Sequence, residues 1–134
     1  MSDILEYGVA TVTANVTVTT TTEEVAVSSP VVRMPRASHT IVVSGWCQLT
    51  TGAATTTVTP RIRRGTTTSG TAVGDAVAEN VKAAAGSNEP FFLMVSESRA
   101  DVDSVQYSFT IEQTSATGNG TILQAGIEVM VLDA

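Results

Sequence analysis

The chain has 134 residues, with 13 Asp and Glu against 7 Lys and Arg, for a formal net charge of −6. That length fits one domain able to bury a core, and the charge argues against a nucleic-acid partner, which calls for a basic face to neutralise phosphate. Thr (22 residues) and Val (19) make up close to a third of the chain, while Leu appears five times and Lys once, so β-branched residues suited to a pleated sheet dominate and an all-β protein is expected.

The first residues, "MSDILEYG", are acidic and lack a signal-peptide core. Residues 1–6 read as an N-terminal arm and 7–134 as a single domain. No apolar run approaches the roughly 18 to 20 residues that span a bilayer, so no membrane partner is expected, and synthesis in a cytoplasm without ordinary export follows. In "TVTANVTVT", Val12, Ala14, Val16 and Val18 share one face, with mostly Thr on the other. Such alternation marks a half-buried strand. "EEVAVSSPVVRM" holds two short strand-like pieces broken by Ser28, Ser29 and Pro30.

"TIVVSGWCQLT" sets Ile41, Val43, Gly45, Cys47 and Leu49 on one face and Val42, Ser44, Trp46 and Gln48 on the other. "TTTVTPRIRR" places Val58 and Ile62 together, opposite Thr59, Arg61 and Arg63. Pro60 predicts an edge or a bulge, because proline cannot donate to the ladder. "GTTTSG" reads as a hairpin connection, and "TAVGDAVAENVKA" as a strand kinked at Gly74, with a short helix as the alternative. "PFFLMVSES" alternates Phe91, Leu93 and Val95 against Phe92 and Met94. In "SVQYSFTIEQ", Val105, Tyr107, Phe109 and Ile111 point in. After the turn at Asn119-Gly120, "TILQAGIEVMVL" sets Leu123, Ala125, Ile127, Val129 and Val131 against Gln124, Glu128 and Met130.

Eight strands of this kind, with no convincing helix, predict a two-sheet antiparallel sandwich, a jelly roll by preference, with an immunoglobulin-like sandwich as the alternative. A charged fraction of only 15% favours an oligomer that hides apolar surface.

No constellation announces chemistry. "RIRRGTTTSGTAVGD" lacks the Gly-Lys-Ser/Thr ending and the following helix of a phosphate loop. Arg61, Arg63 and Arg64 therefore face solvent on a hairpin or clamp a neighbouring subunit through carboxylates. Cys47, the only cysteine, falls on an apolar face and reads as a small hydrophobe. His39, the only histidine, reads as exposed or satisfied by backbone, too isolated to anchor zinc. Asp101 and Asp103, with Glu97 nearby, read as a solvated acidic loop that lacks the further oxygen ligands of a calcium site. Neither catalysis nor a cofactor is expected. Trp46, Phe92 and Met130 have the outward phase, and outward aromatics call for cover by a loop or a partner.

"VVSGWCQLTTGAATTTVTPRIRRGTTTSGTAVGDA" and "YSFTIEQTSATGNGTILQAGIEVMVL" resemble the small virion-surface jelly rolls of tailed bacteriophages, namely capsid decoration (cement) proteins and related fibre-tip domains. The resemblance covers roughly residues 38 to 132. These modules are similar in fold to the tumour necrosis factor jelly roll, which commonly forms a trimer. The resemblance implies strands A to H in two sheets, A-H-C-F and B-G-D-E, the first facing a threefold axis. Trp46, Phe92 and Met130 would then lie at the trimer interface. It further implies a capsid exterior location, with the major capsid protein as partner and Ile4, Leu5 and Tyr7 as an arm reaching the shell. The alternative is a glycan- or receptor-binding fibre tip using Trp46 or Tyr107.

Overall fold

The computed structural model describes residues 4–12, 16–19, 22–34, 37–50, 56–74, 79–81, 88–100, 102–114 and 119–132. Among them run twelve strands and no helix: β1 (Ile4–Val12), β2 (Val16–Val18), β3 (Glu23–Ser28), β4 (Val32–Arg33), β5 (His39–Thr50), β6 (Thr56–Arg64), β7 (Ala72–Val73), β8 (Glu79–Val81), β9 (Asn88–Arg99), β10 (Ser104–Val105), β11 (Tyr107–Thr114) and β12 (Gly120–Leu132). One sheet has the order β1-β12-β5-β9, with β2 also on β12. The other has the order β3-β11-β6-β7, with β8 also on β6, and β4 and β10 form a small separate ladder. Every pairing is antiparallel. With the short strands β2, β4, β8 and β10 left unlettered, the other eight, lettered A to H in chain order, form the A-H-C-F and B-G-D-E sheets of a jelly roll, so the expected all-β sandwich is what the chain forms.

The core follows from alternation. Ile41, Val43, Cys47 and Leu49 of β5 are buried, as are Phe91 and Val95 of β9 and Ala125, Ile127, Val129 and Val131 of β12. Tyr107, Phe109 and Ile111 of β11 meet them from the other sheet, together with Val58 and Ile62 of β6. The sheets approach closely at Gly45. A Cβ built there would lie 2.5 Å from Phe109 Cγ and 2.9 Å from Phe109 Cβ, so the absent side chain makes room for the ring.

Several expectations are corrected. β1 begins at Ile4, inside the segment read as an arm, and pairs Ile4 with Leu132 and Glu6 with Val131. Backbone pairing along β12 satisfies these groups better than a free tail would. The strand read at "TVTANVTVT" is two strands, β1 and β2, and Ala14 lies outside the described residues. On β12 the register shifts between Ile122 and Gln124. An inserted residue reverses the phase, so Ile122 is buried and Leu123 only half-buried. The alanine-rich segment supplies two short strands, β7 and β8, and Gly74 has the left-handed φ of 71° that its kink requires. Pro60 lies inside β6 opposite Ile111. On its other edge β6 pairs with β8 up to Val58 and with β7 from Ile62, and the chain between those two strands, residues 75–78, lies outside the described residues.

Candidate functional site

The outer face of the β1-β12-β5-β9 sheet is the unusual surface of the molecule. Register places its outward residues in rows across the strands. Tyr7, Met130, Val42 and Ser96 form one row, Val9, Glu128, Ser44 and Met94 the next, and Thr11, Gly126, Trp46 and Phe92 a third. Phe92 is 58% exposed, Met94 56%, Tyr7 53% and Trp46 38%. Val9 is also exposed, whereas Met130 and Val42 are half-buried among their neighbours.

Gly126 explains why Trp46 is the best covered of the aromatics. A Cβ at Gly126 would lie 2.5 Å from Trp46 Cε2 and 2.8 Å from Cζ2, so the indole rests flat on the bare backbone of β12. Beyond Trp46 the rows are mainly polar, Pro90 aside: Gln124 Nε2 donates to Gln48 Oε1 at 3.0 Å, and Thr50 Oγ1 donates to Asn88 Oδ1 at 2.6 Å. At the other end lies the row of Ile4, Leu132, Thr40 and Ser98. A patch of aromatic, Met and Val side chains bordered on one side by polar groups has the anatomy of an interface.

Trp46 and Phe92 are brought together as expected, directly opposite each other in register. Met130 lies two rows away, on the same face. Tyr7, read as part of an arm, belongs to this face because β1 pairs with β12. Ile4 is exposed at the end of β1, and the expectation for Leu5 concerns a side chain outside the described set. Sequence reasoning missed Val9 and Met94 as members, although Met94 shares the outward phase of Phe92.

One charge interrupts the band. Among the described residues that point out from this sheet, only Glu128 carries a formal charge. Tyr7 Oη donates to Glu128 Oε2 at 2.8 Å, and that hydrogen bond, more than anything else, raises the tyrosine's pKa above its ordinary value.

The arginines sit elsewhere and are committed within the chain. On the outer face of the second sheet, Arg63 Nε and Nη2 donate to the two oxygens of Glu23 at 2.5 and 2.8 Å, and Arg63 Nη1 donates to the Gly70 carbonyl at 2.8 Å. Arg61 Nη1 bridges Glu112 at 2.9 Å and Glu23 at 3.3 Å. Burial pushes the Glu23 carboxyl up, but hydrogen bonds from Arg63 and Thr110 and the nearby arginine charges outweigh it and hold the group below its usual value. Arg64 joins the two sheets. It forks onto Glu97 of β9, whose other partners are Tyr107 Oη, donating at 2.6 Å, and Arg99 at 3.7 Å. Glu97 is likewise pushed up by burial and held low overall by Arg64 and Tyr107. All three arginines, read from the sequence as solvated or intersubunit, pair with carboxylates of the same chain that β3, β9 and β11 bring within reach, and for Arg63 and Arg64 the pairing is bidentate.

The remaining candidates form no site among the described residues. Cys47 is buried, and burial pushes its thiol to about 12. His39 is buried, not exposed, because it continues the inward phase of β5. Neither of its ring nitrogens has a hydrogen-bond partner among the described residues. Tyr107 is fully buried, so it offers no ring to a sugar. Asp101 lies outside the described residues, and Asp103 is exposed, its carbonyl accepting from the Met34 amide at 2.9 Å. No group of three or more His, Cys, Asp or Glu side chains is placed to hold a metal among the described residues.

Fold and face together define a jelly-roll sandwich with one unpartnered apolar sheet face. No protein-family model matches the chain, and no curated protein does. Among solved structures it is similar to a chain of the infectious bursal disease virus Gx strain structure, at 11% identity and a TM-score of 0.42, over 95% of this chain and 32% of that one. It is also similar to the enzymatically active domain of tailspike protein 4 of Bacteriophage CBA120, at 12% identity and a TM-score of 0.27, over 87% of this chain and 18% of that one. The chain thus spans about a third of the first and under a fifth of the second. At these scores neither likeness assigns a function, and the topology rests on the chain's own strand pairing.

Proposed function

We propose that this chain is a structural virion protein. Three copies pack through the outer face of the β1-β12-β5-β9 sheet, and the trimer decorates the exterior of a phage capsid, bridging neighbouring copies of the major capsid protein. The observation that carries the reading is the exposed band of Tyr7, Val9, Trp46, Phe92 and Met94 on that sheet. The band spans three residue rows, and the whole face that carries it, polar rows included, measures roughly 800 Å² (four strands about 4.8 Å apart, with about twelve residues at about 3.4 Å each), so a standard interface of roughly 800 Å² per partner would use the entire face. The strand order agrees with the resemblance over residues 38 to 132, in which this sheet faces the threefold axis.

The protein acts by binding alone, with no cofactor, catalysis, nucleic acid or membrane. Shell stability rises by mass action as trimers bind, and three linked contacts hold where one would not. A fibre-tip role finds less support, since of the two aromatics it would use only Trp46 is exposed.

Light scattering is expected to give about three chain masses for the wild type. Trp46→Asp places a charge at the centre of the face and should lower that mass towards one. A folded wild-type monomer at micromolar concentration defeats the assembly. Undecorated capsids should co-sediment with the trimer and survive heating better. Binding to a glycan array without capsid binding would transfer the protein to a fibre tip.

A further inference from the structure

We infer that association through this face is proton-linked, tightening as the Glu128 carboxylate is neutralised. The inference rests on the self-association reading and concerns its regulation. Glu128 lies on β12, the strand between β1 and β5, in the row of Val9, Ser44 and Met94. A second copy seated on the band removes water from this carboxylate.

Burying a carboxylate without a compensating cation is unfavourable. Among the described residues, the groups facing Glu128 provide one neutral donor and no cation. β1 presents the Tyr7 hydroxyl, at 2.8 Å, and Val9. β5 presents Val42, Ser44 and Trp46, β9 presents Phe92 and Met94, and β12 itself presents Met130 and Gln124. A partner copy using the same face brings the same residues. Among the described arginines, Arg61, Arg63, Arg64 and Arg99 are bonded to Glu23, Glu112 and Glu97 away from this face, and Arg33 lies on the separate β4 ladder. Taking up a proton is the remaining way to remove the charge. The neutral acid can still accept from Tyr7 while donating its own proton across the interface.

The test measures association by sedimentation velocity for the wild type and Glu128→Gln. The wild-type half-association concentration should fall by about tenfold between about pH 7.5 and about pH 5.5. Glu128→Gln keeps the shape and loses the charge. At the higher pH it should associate more than about tenfold more tightly than the wild type, because it lacks the whole of the charge penalty, and show little change as pH falls. Glu23 and Glu97, held below the ordinary carboxylate range, stay ionised across this window, and far-UV circular dichroism checks that the fold is constant. A pH response that survives in Glu128→Gln overturns the inference. So does a variant that associates no better than the wild type. In both cases an oligomer broken by Trp46→Asp leaves the assembly itself standing, whereas a monomer under all conditions removes the assembly and the linkage together.

Discussion

Gly45 and Gly126 belong to paired strands of one sheet and serve its opposite faces, so replacing each by alanine separates what the two faces do. At Gly45 the new methyl would sit 2.5 Å from Phe109 Cγ and 2.9 Å from Phe109 Cβ. Ordinary carbon contacts lie at about 3.5–4.0 Å, so the ring would have to retreat by about 1 Å. Phe109 is fully buried, and its Cβ is fixed to the backbone of β11, so retreat means moving a strand. Overpacking of this kind costs about 1–3 kcal/mol, which for a chain of this size lowers Tm by roughly 4–10 °C. At Gly126 the nearest atoms to the methyl belong to the indole of Trp46, the movable end of a partly exposed side chain. The ring can swing outward, and the expected cost is below about 1 kcal/mol. Thermal unfolding at equal chain concentration measures both losses. Trp46 is the only tryptophan, so its emission reports the outer face directly. Gly45→Ala should lose stability with nearly native emission, and Gly126→Ala should shift emission with little loss of stability. Equal destabilisation by the two, or a Gly45→Ala variant within about 0.5 kcal/mol of wild type, would refute the packing argument.

Acid should weaken the fold. Glu23 and Glu97 are held below their ordinary value of 4.5, so their contribution is fully present above that value and is lost as pH falls through the lowered ones. Urea midpoints should drop steadily below about pH 4.5, and Glu97→Gln should flatten part of that slope. A midpoint rising with acid contradicts the assignment. Cys47, with its thiol pushed to about 12, should resist a thiol reagent at neutral pH until the protein is denatured. Full labelling of the native protein within minutes would show that β5 opens readily.

Much of the architecture was legible in the sequence. The alternation in "TIVVSGWCQLT" and "SVQYSFTIEQ" named the buried apolar residues of β5 and β11 correctly, because a two-residue period leaves a side chain only two directions, but it did not show that Ser108 and Thr110, of the outward phase, are buried as well. It also put Trp46 and Phe92 on the outer face before their pairing was known. It failed on β12, where one inserted residue reversed the phase at Ile122. It failed again at the N-terminus, where Ile4 and Glu6 pair with β12, more than a hundred positions away in the chain.

The arginines show the same division. Their spacing is local, and the sequence could say only that a cluster existed on one strand. Whether it met solvent, a neighbour or its own chain depended on Glu23, Glu112 and Glu97, which lie 33 to 51 positions away and arrive by sheet pairing and sandwich closure. Composition and period therefore determined the class of fold and the phase of most strands, since these follow from each residue and its near neighbours. Strand order, register and the partner of each charge were decided by tertiary structure. Tertiary structure likewise gathered Tyr7, Trp46, Phe92 and Met94 around Glu128, because only closing the sheets brings distant strands side by side.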